Sequence, residues 1–273
     1  MKHTPEMDEN SYPSIKQAIG LLLFYFISTF IFCLFTPRLI GELLGSVATL
    51  LFAYLMQRTI GDKLEIGLRQ VRNWKIYLYS FFCSASMLWT FVCSFMWMIV
   101  LTQLDTLSTS STLYDGRNLI TMAITIVLIA PITEEILFRG IILKSFLQRY
   151  PSTKAILISS IIFAFAHMQP IKLGNTMLMG YLTGWLYYRT KSIIPGIICH
   201  MTNNAIVLIP IFNFIHLPSL EKIFSRETTL TNTHFILAIL GGVILFVIFF
   251  IPLKKIIDKS FPTNSTDKQE ELN

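Results

Sequence analysis

Two acidic side chains and one basic side chain occur together inside an otherwise apolar run. Residues 130–140 read APITEEILFRG, and the range 118–133, which overlaps the start of this segment, carries no charge. Glu134, Glu135 and Arg139 are therefore predicted to lie at membrane depth. An ionisable group there costs at least a few kcal/mol, so such groups rarely occur without a partner and a task. This segment is predicted to carry the functional site.

Two histidines and an asparagine occur at helical spacing in later apolar runs. Phe163 and His167 in FAFAHMQP are four residues apart, as are His200 and Asn204 in HMTNN. This spacing places both members of a pair on one face of a helix. Each apolar run is thus expected to present one polar face.

The depths of these polar groups can be estimated from a rise of about 1.5 Å per helical residue. Counted from the predicted cytoplasmic ends of their spans, Glu134 lies at about 22 Å, His167 at about 20 Å, His200 at about 11 Å and Asn204 at about 17 Å. The overlap of these levels predicts one shared site.

The two glutamates are expected to have different partners. Glu135 and Arg139 are four residues apart, so they can pair along their own helix. Glu134 has only apolar residues at the corresponding positions, so its partner must come from another helix. We expect Glu134 to face His167 and His200, with Glu135 and Arg139 as a supporting pair.

This set of groups suits the hydrolysis of a peptide bond. A carboxylate helped by a histidine can remove a proton from water, while Asn204 and a histidine can donate hydrogen bonds to the oxyanion. Alternatively, Glu134, His167 and His200 could hold a zinc ion that activates the water. The H-E-x-x-H helix of many zinc proteases is absent, and the sequence leaves the metal open.

The elements that would position these groups are eight apolar runs. The chain of 273 residues is 53% hydrophobic and only 14% charged, with a mean hydropathy of +0.60. Soluble domains contain about 25% charged residues. The predicted spans are residues 16–36, 41–57, 76–104, 118–149, 154–168, 173–188, 193–215 and 234–253. Pro131 should kink or break the fourth, because it has no N–H for the Val127 carbonyl. The predicted fold is all-α, a polytopic membrane bundle of about eight transmembrane helices.

Basic residues are concentrated in alternate connections of this bundle, and the formal net charge is +6. By the positive-inside rule, these connections and both termini are cytoplasmic. In a membrane protein, such an excess of basic residues indicates contact with anionic lipid headgroups and argues against nucleic acid as a partner. We expect a multi-pass protein of the plasma membrane. Its predicted parts are a polar tail over residues 1–15, one membrane-embedded domain over 16–258 and a polar tail over 259–273.

Three short motifs resemble those of a known family. EEILFR fits EExxxR, FAFAH fits FxxxH and HMTNN fits HxxxN, in this order and on separate predicted helices. Together they resemble the CPBP family of intramembrane proteases, also called the Abi family. That family includes the CAAX prenyl endopeptidase Rce1 and bacterial relatives tied to bacteriocin processing or self-immunity. The resemblance covers about residues 118–210, a third of the chain.

The resemblance implies a role for each motif residue. Glu134 would activate water together with His167, while His200 and Asn204 would form the oxyanion site. The pair Glu135 and Arg139 would support the first motif. The family has been described both as metalloproteases and as metal-free glutamate proteases, so the resemblance also leaves the metal open.

The leading hypothesis is therefore an intramembrane endopeptidase that cuts a peptide or a membrane protein. Its expected role is the processing of a bacteriocin or pheromone, or self-immunity. One alternative is a non-catalytic membrane immunity protein or a partner of a sensor, which would require a partner protein in the membrane. Another is a proton-coupled transporter, but transporters commonly show paired repeats. Here the candidate site residues are confined to spans four to seven, which argues against a transporter.

Overall fold

The computed structural model describes residues 11–60, 66–102, 119–216 and 232–262, and these form only helices and their connections. The eight helices are α1 (Ile15–Phe35), α2 (Arg38–Ile60), α3 (Trp74–Thr102), α4 (residues 119–149), α5 (Ser152–Ala166), α6 (Leu173–Thr190), α7 (Ile194–His216) and α8 (Asn232–Ser260). The prediction of an all-α membrane bundle is confirmed. Of the predicted tails over residues 1–15 and 259–273, the parts at 1–10 and 263–273 lie outside the described residues.

Within the described parts of the chain, four helices are long and apolar enough to cross a membrane. These stretches are Ile15–Phe35, Ile40–Thr59, Trp74–Met98 and Asn232–Ser260. Large apolar side chains on their outer faces are exposed, for example Ile27 at 59% and Leu237 at 61%. A soluble protein rarely exposes such extended apolar surface, whereas lipid tails favour it. The predicted multi-pass membrane location agrees with this surface.

Helix α5 is shorter than a membrane crossing. Its 15 residues extend about 22 Å, against a hydrocarbon core of about 30 Å. The helix ends at this point because Pro170 disfavours helical backbone at the preceding residue. Met168 adopts the left-handed conformation with φ 47°. His167 is therefore held at the C-terminal end of a short helix, as its C-cap residue.

Helix α4 remains continuous through Pro131, so the predicted break does not occur. It consists of α-helical pieces at Leu119–Ile124, Ala130–Glu135 and Lys144–Arg149, joined by π-helical pieces at Thr125–Ile129 and Ile136–Leu143. The Ala130 N–H donates to the Thr125 carbonyl, five residues back. This wider hydrogen-bond register accommodates the proline without ending the helix. Single π-helical turns are frequent at functional sites.

Glycines allow two pairs of helices to approach closely. A Cβ atom on Gly45 of α2 would lie 2.7 Å from the Cα atom of Thr29 on α1. A Cβ atom on Gly180 of α6 would lie 3.1 Å from the Cα atom of Ser160 on α5. Gly45 and Gly180 thus serve helix packing, as small residues in membrane helices commonly do.

The ends of several helices meet at one face of the bundle, which we call the basic end. There, Arg149 Nε donates to the Ser11 carbonyl at 3.0 Å, and Arg189 pairs with Asp258 at 2.6 Å. Ser11 and Tyr12 are buried, so the last part of the predicted N-terminal tail is packed against α4. The orientation of this end toward the cytoplasm stays a prediction.

Candidate active site

Glu134 lies between the two histidines that the motifs single out. Its Oε2 atom is 3.6 Å from His167 Nε2 and 3.8 Å from His200 Nε2. The side chains of Glu134 and His167 are 25% and 28% exposed, whereas that of His200 is 4% exposed. Three helices, α4, α5 and α7, thus bring one carboxylate and two imidazoles together, with one side of the group open.

The second nitrogen of each imidazole lies close to an oxygen atom. His167 Nδ1 lies 2.9 Å from the Phe163 carbonyl, and His200 Nδ1 lies 3.3 Å from Glu135 Oε1. A carbonyl can only accept, so the His167 proton is assigned to Nδ1. An ionised Glu135 assigns the His200 proton in the same way. In the neutral imidazoles, both Nε2 atoms then present a lone pair to Glu134.

Three acceptor atoms that face each other require hydrogen or a cation between them. Glu134 Oε2 is a buried atom without a hydrogen-bond partner among the described residues. A water molecule that donates to two of the three atoms would satisfy this set, as would an additional proton on one imidazole. The arrangement is therefore built to hold and polarise a small group such as water.

The donor set also fits a metal ion. Ligand atoms from Glu134, His167 and His200 all lie within 4.8 Å of one another. Zinc bonds of about 2.0–2.1 Å in a tetrahedral site separate neighbouring ligand atoms by about 3.3 Å. In addition, each histidine that binds a metal commonly donates its other N–H to a carboxylate or a carbonyl. Here His167 Nδ1 has such a carbonyl partner, and His200 Nδ1 lies 3.3 Å from the Glu135 carboxylate.

Glu135 and Arg139 form the expected supporting pair. Arg139 Nη1 lies 3.0 Å from Glu135 Oε1, and the two side chains are 1% and 0% exposed. Arg139 also donates to the Gly180 carbonyl at 3.2 Å, and its guanidinium stacks over the Phe163 ring at 4.3 Å. The arginine thus connects α4 with α5 and α6.

Sequence reasoning missed the second contact of Glu135. It assigned Arg139 as the only partner of this carboxylate, whereas the structure also places His200 beside it. A Cβ atom on Gly196 would lie 2.8 Å from Glu135 Oε2. Gly196 precedes His200 by four residues, so this helical spacing was an available signal. The glycine leaves the space that the buried carboxylate occupies.

Asn204 is directed at the backbone of α4. Its Nδ2 atom donates to the Ile126 carbonyl at 2.8 Å. In the π-helical register, the donor to that carbonyl would be residue 131, which is a proline without an N–H. The Asn204 amide therefore takes the place of the missing backbone donor. An amide nitrogen carries two hydrogens, so this contact uses one of them.

A cavity of about 180 Å³ opens beside the catalytic candidates. Glu134 and His167 form part of its wall, together with side chains from α1 and α2. His200, Glu135 and Arg139 do not line it. The cavity therefore reaches the open side of the site and leaves the buried supporting groups covered.

Residues 116–206 match the family model described as type II CAAX prenyl endopeptidase Rce1-like. The predicted family resemblance is confirmed over this region, which contains all six predicted site residues. The "Putative membrane peptidase YdiL" of Bacillus subtilis is 35% identical over 98 residues, which cover 34% of this chain and 40% of that protein. An "Uncharacterized 24.3 kDa protein" of Escherichia coli is 33% identical over 97 residues, which cover 34% of this chain and 45% of that protein.

The match thus spans less than half the length of these two curated relatives. No solved structure matches the chain significantly. The membrane-peptidase match and the four long apolar helices together confirm a multi-pass protein of the plasma membrane.

Proposed function

We propose that this protein is an intramembrane endopeptidase, because residues 116–206 match the family model described as type II CAAX prenyl endopeptidase Rce1-like. One observation carries the proposal: the Glu134 carboxylate lies within 4 Å of two imidazole Nε2 atoms. The carboxylate and these nitrogens converge on the volume that a water molecule would occupy. Such a set is suited to general-base attack of water on a peptide carbonyl.

Glu134 and His167 activate the water in this mechanism. Both line the cavity through which a substrate would enter. The carboxylate removes a proton from water as the oxygen attacks the carbonyl carbon. The proton then passes to the amide nitrogen, and the peptide bond breaks to leave a carboxylate and an amine. The Phe163 carbonyl keeps the Nε2 lone pair of His167 directed at this position.

His200 stabilises the oxyanion of the tetrahedral intermediate. Glu135 lies 3.3 Å from Nδ1 of this imidazole, and Nε2, when it carries a hydrogen, can donate to the developing negative charge. Asn204 would contribute its second amide hydrogen to the same oxyanion. Arg139 balances the charge of Glu135 within the buried pair.

The same residues would support a metal-dependent form of this reaction. Glu134, His167 and His200 would hold the ion, and a bound zinc ion makes water a stronger nucleophile at neutral pH. In both forms, Glu135 and the Phe163 carbonyl orient the two imidazoles. Metal analysis of the purified protein, with and without a chelator, distinguishes the two forms.

A substitution of Glu134 tests the proposal. The variant Glu134→Gln keeps the size of the side chain and removes the base. We expect cleavage of peptides in proteoliposomes to fall by about 10²- to 10⁴-fold. Asp258→Asn at the basic end is the matched acid-to-amide control, because the amide oxygen can still accept from Arg189, and we expect it to cleave like wild-type protein. Wild-type cleavage by Glu134→Gln would refute the mechanism.

The biological role that we propose is the processing of a bacterial peptide, such as a bacteriocin or a pheromone, or self-immunity to one. The support for this role is the motif resemblance. The alternative is an immunity or sensor-partner protein that binds without cleavage, with a partner protein in the membrane. If Glu134→Gln inserts normally and still protects cells from the peptide, the non-catalytic role is favoured.

A further inference from the structure

The cavity beside Glu134 has walls of two kinds. One wall belongs to α4 and α5 and carries Glu134 and His167. The other belongs to α1 and α2, which lie outside the matched family region of residues 116–206. Its apolar members are Leu22, Phe26 and Leu50. A substrate that reaches Glu134 must therefore contact side chains that the family match does not include.

Three of the four hydroxyl groups in the cavity wall donate to the helix backbone, and the fourth, that of Tyr25, interacts with the side chains of Ser46 and Thr29. Ser46 Oγ donates to the Glu42 carbonyl at 2.8 Å, and Thr49 Oγ1 donates to the Gly45 carbonyl at 2.8 Å. A third hydroxyl, that of Thr133, donates to carbonyls of α4 at 3.0 Å. Because these hydrogens are directed at the helix backbone, they offer little to a polar side chain in the cavity. A polar group buried without a partner is costly, so this wall favours an apolar occupant.

The size of the cavity limits the occupant to one side chain. Its volume is about 180 Å³. A dry apolar cavity of about 150 Å³ in another protein holds one benzene molecule. Pockets for drug-sized ligands are larger, about 300–1,000 Å³. The space therefore suits the side chain of one leucine or phenylalanine and is too small for a long lipid chain.

We propose that this cavity binds one large, unmodified apolar side chain of the substrate residue beside the scissile bond. The inference rests on the proposed peptidase function, because Glu134 and His167 define where the scissile bond lies. A side chain in the cavity places its own backbone at the mouth, next to the Glu134 carboxylate. Helices α1 and α2 thereby determine substrate preference, whereas α4, α5 and α7 carry the chemistry.

A peptide pool tests the preference. Each synthetic single-span peptide has the same flanking residues and carries Gly, Ala, Leu, Phe, Trp or Lys at one varied position, which is moved along the span. Cleavage by wild-type protein in proteoliposomes is followed by mass spectrometry. We expect kcat/KM beside Leu or Phe to exceed that beside Gly by about 10- to 100-fold. Equal rates across the series, or a preference for Lys, would overturn the inference.

Two variants on α1 and α2 link the preference to this cavity. Ser46→Phe fills the cavity, so we expect the preference to reverse toward Gly and Ala. Phe26→Ala enlarges it, so we expect Trp to be accepted. The adjacent Val47 and Ile27 are 51% and 59% exposed, so Val47→Phe and Ile27→Ala are the matched controls and should keep the wild-type preference. Unchanged preference in Phe26→Ala and Ser46→Phe would also overturn the inference.

A binding experiment separates the pocket from the activity. The variant Glu134→Gln is irradiated with the same peptides carrying photoleucine at the varied position, and the labelled residues are identified by mass spectrometry. Labels on Leu22, Phe26 or Leu50 support the pocket even if wild-type protein cuts no peptide, in which case only the proposed function fails. Labels found only elsewhere refute the pocket, whether or not cleavage occurs.

Discussion

Replacement of Gly196 by alanine is a sharp test of the buried support for His200. The added Cβ atom would lie 2.8 Å from Glu135 Oε2 and 3.3 Å from the Cβ atom of Thr183. A carbon–oxygen contact requires about 3.3 Å, so the carboxylate must move by about 0.5 Å. Glu135 is fully buried and lies beside Arg139 and His200. The displacement is therefore transmitted to the imidazole.

The expected effect of Gly196→Ala is on catalysis more than on stability. A misplacement of about 1 Å at a catalytic group can cost about 10²-fold in rate, so about 0.5 Å corresponds to about 10-fold. Alanine is favoured over glycine in a helix by about 1 kcal/mol, which offsets part of the steric cost. We expect kcat to fall about 10-fold while the thermal unfolding midpoint changes little.

Gly174→Ala provides the matched control for this experiment. Gly174 lies in α6, and a Cβ atom there would meet no atom within 4 Å. Both variants are assayed on the peptide pool in proteoliposomes, and both are unfolded thermally in the same detergent. Full activity in Gly196→Ala would show that the Glu135 carboxylate does not control His200. An equal loss in Gly174→Ala would show that the assay reports helix stability instead.

Three further substitutions test the bundle. Arg139→Ala should lower the free energy of unfolding by about 3–5 kcal/mol, because it removes the arginine partner of the buried Glu135 carboxylate. In denaturation experiments, the double variant Glu135→Gln/Arg139→Met should recover most of this loss. Gly45→Ala should separate α2 from the α1 backbone and increase the rate of proteolysis in detergent, whereas Gly20→Ala should not, because its Cβ atom would meet nothing within 4 Å. In Asn204→Asp, an ionised carboxylate cannot donate to the α4 carbonyl, so we expect the protein to lose about 1–3 kcal/mol of stability in thermal unfolding. A loss of activity with unchanged stability would instead assign Asn204 to the oxyanion alone.

Hydropathy was sufficient to predict the helices of this bundle. The predicted first span, residues 16–36, corresponds to α1 at Ile15–Phe35, and the predicted sixth, residues 173–188, to α6 at Leu173–Thr190. Membrane-spanning helices satisfy their own backbone hydrogen bonds, so an uninterrupted apolar run is a strong signal. The backbone around Pro131 was not predictable in this way, because its hydrogen-bond register depends on an amide from α7.

The juxtaposition of Glu134, His167 and His200 was also predictable, because helical rise gives the depth of each residue in its own span. The buried contacts behind them were not. The second partner of Glu135 depends on the rotation of α7 about its axis, which depth does not determine. The cavity wall could not be assigned either, since the first two spans carry no recognisable motif. The predictable part is thus what each helix specifies alone, and the rest depends on how helices face each other.

The environments of the two adjacent glutamates imply a charge balance at the site. Glu135 and Arg139 form a buried pair whose charges cancel. Among the described residues, the ion-pair partners of Glu134 are the two imidazoles, and no arginine or lysine lies within ion-pair distance of it. An isolated negative charge at membrane depth is disfavoured, so a positive charge beside Glu134 would stabilise the site. An additional proton at the site or a metal ion would supply it. Removal of the Glu134 charge by Glu134→Gln should therefore stabilise a metal-free protein and should abolish metal binding in a metal-dependent one. Thermal unfolding with and without a chelator distinguishes these outcomes, and a destabilisation by chelator that is equally large in Glu134→Gln and in wild-type protein would contradict both.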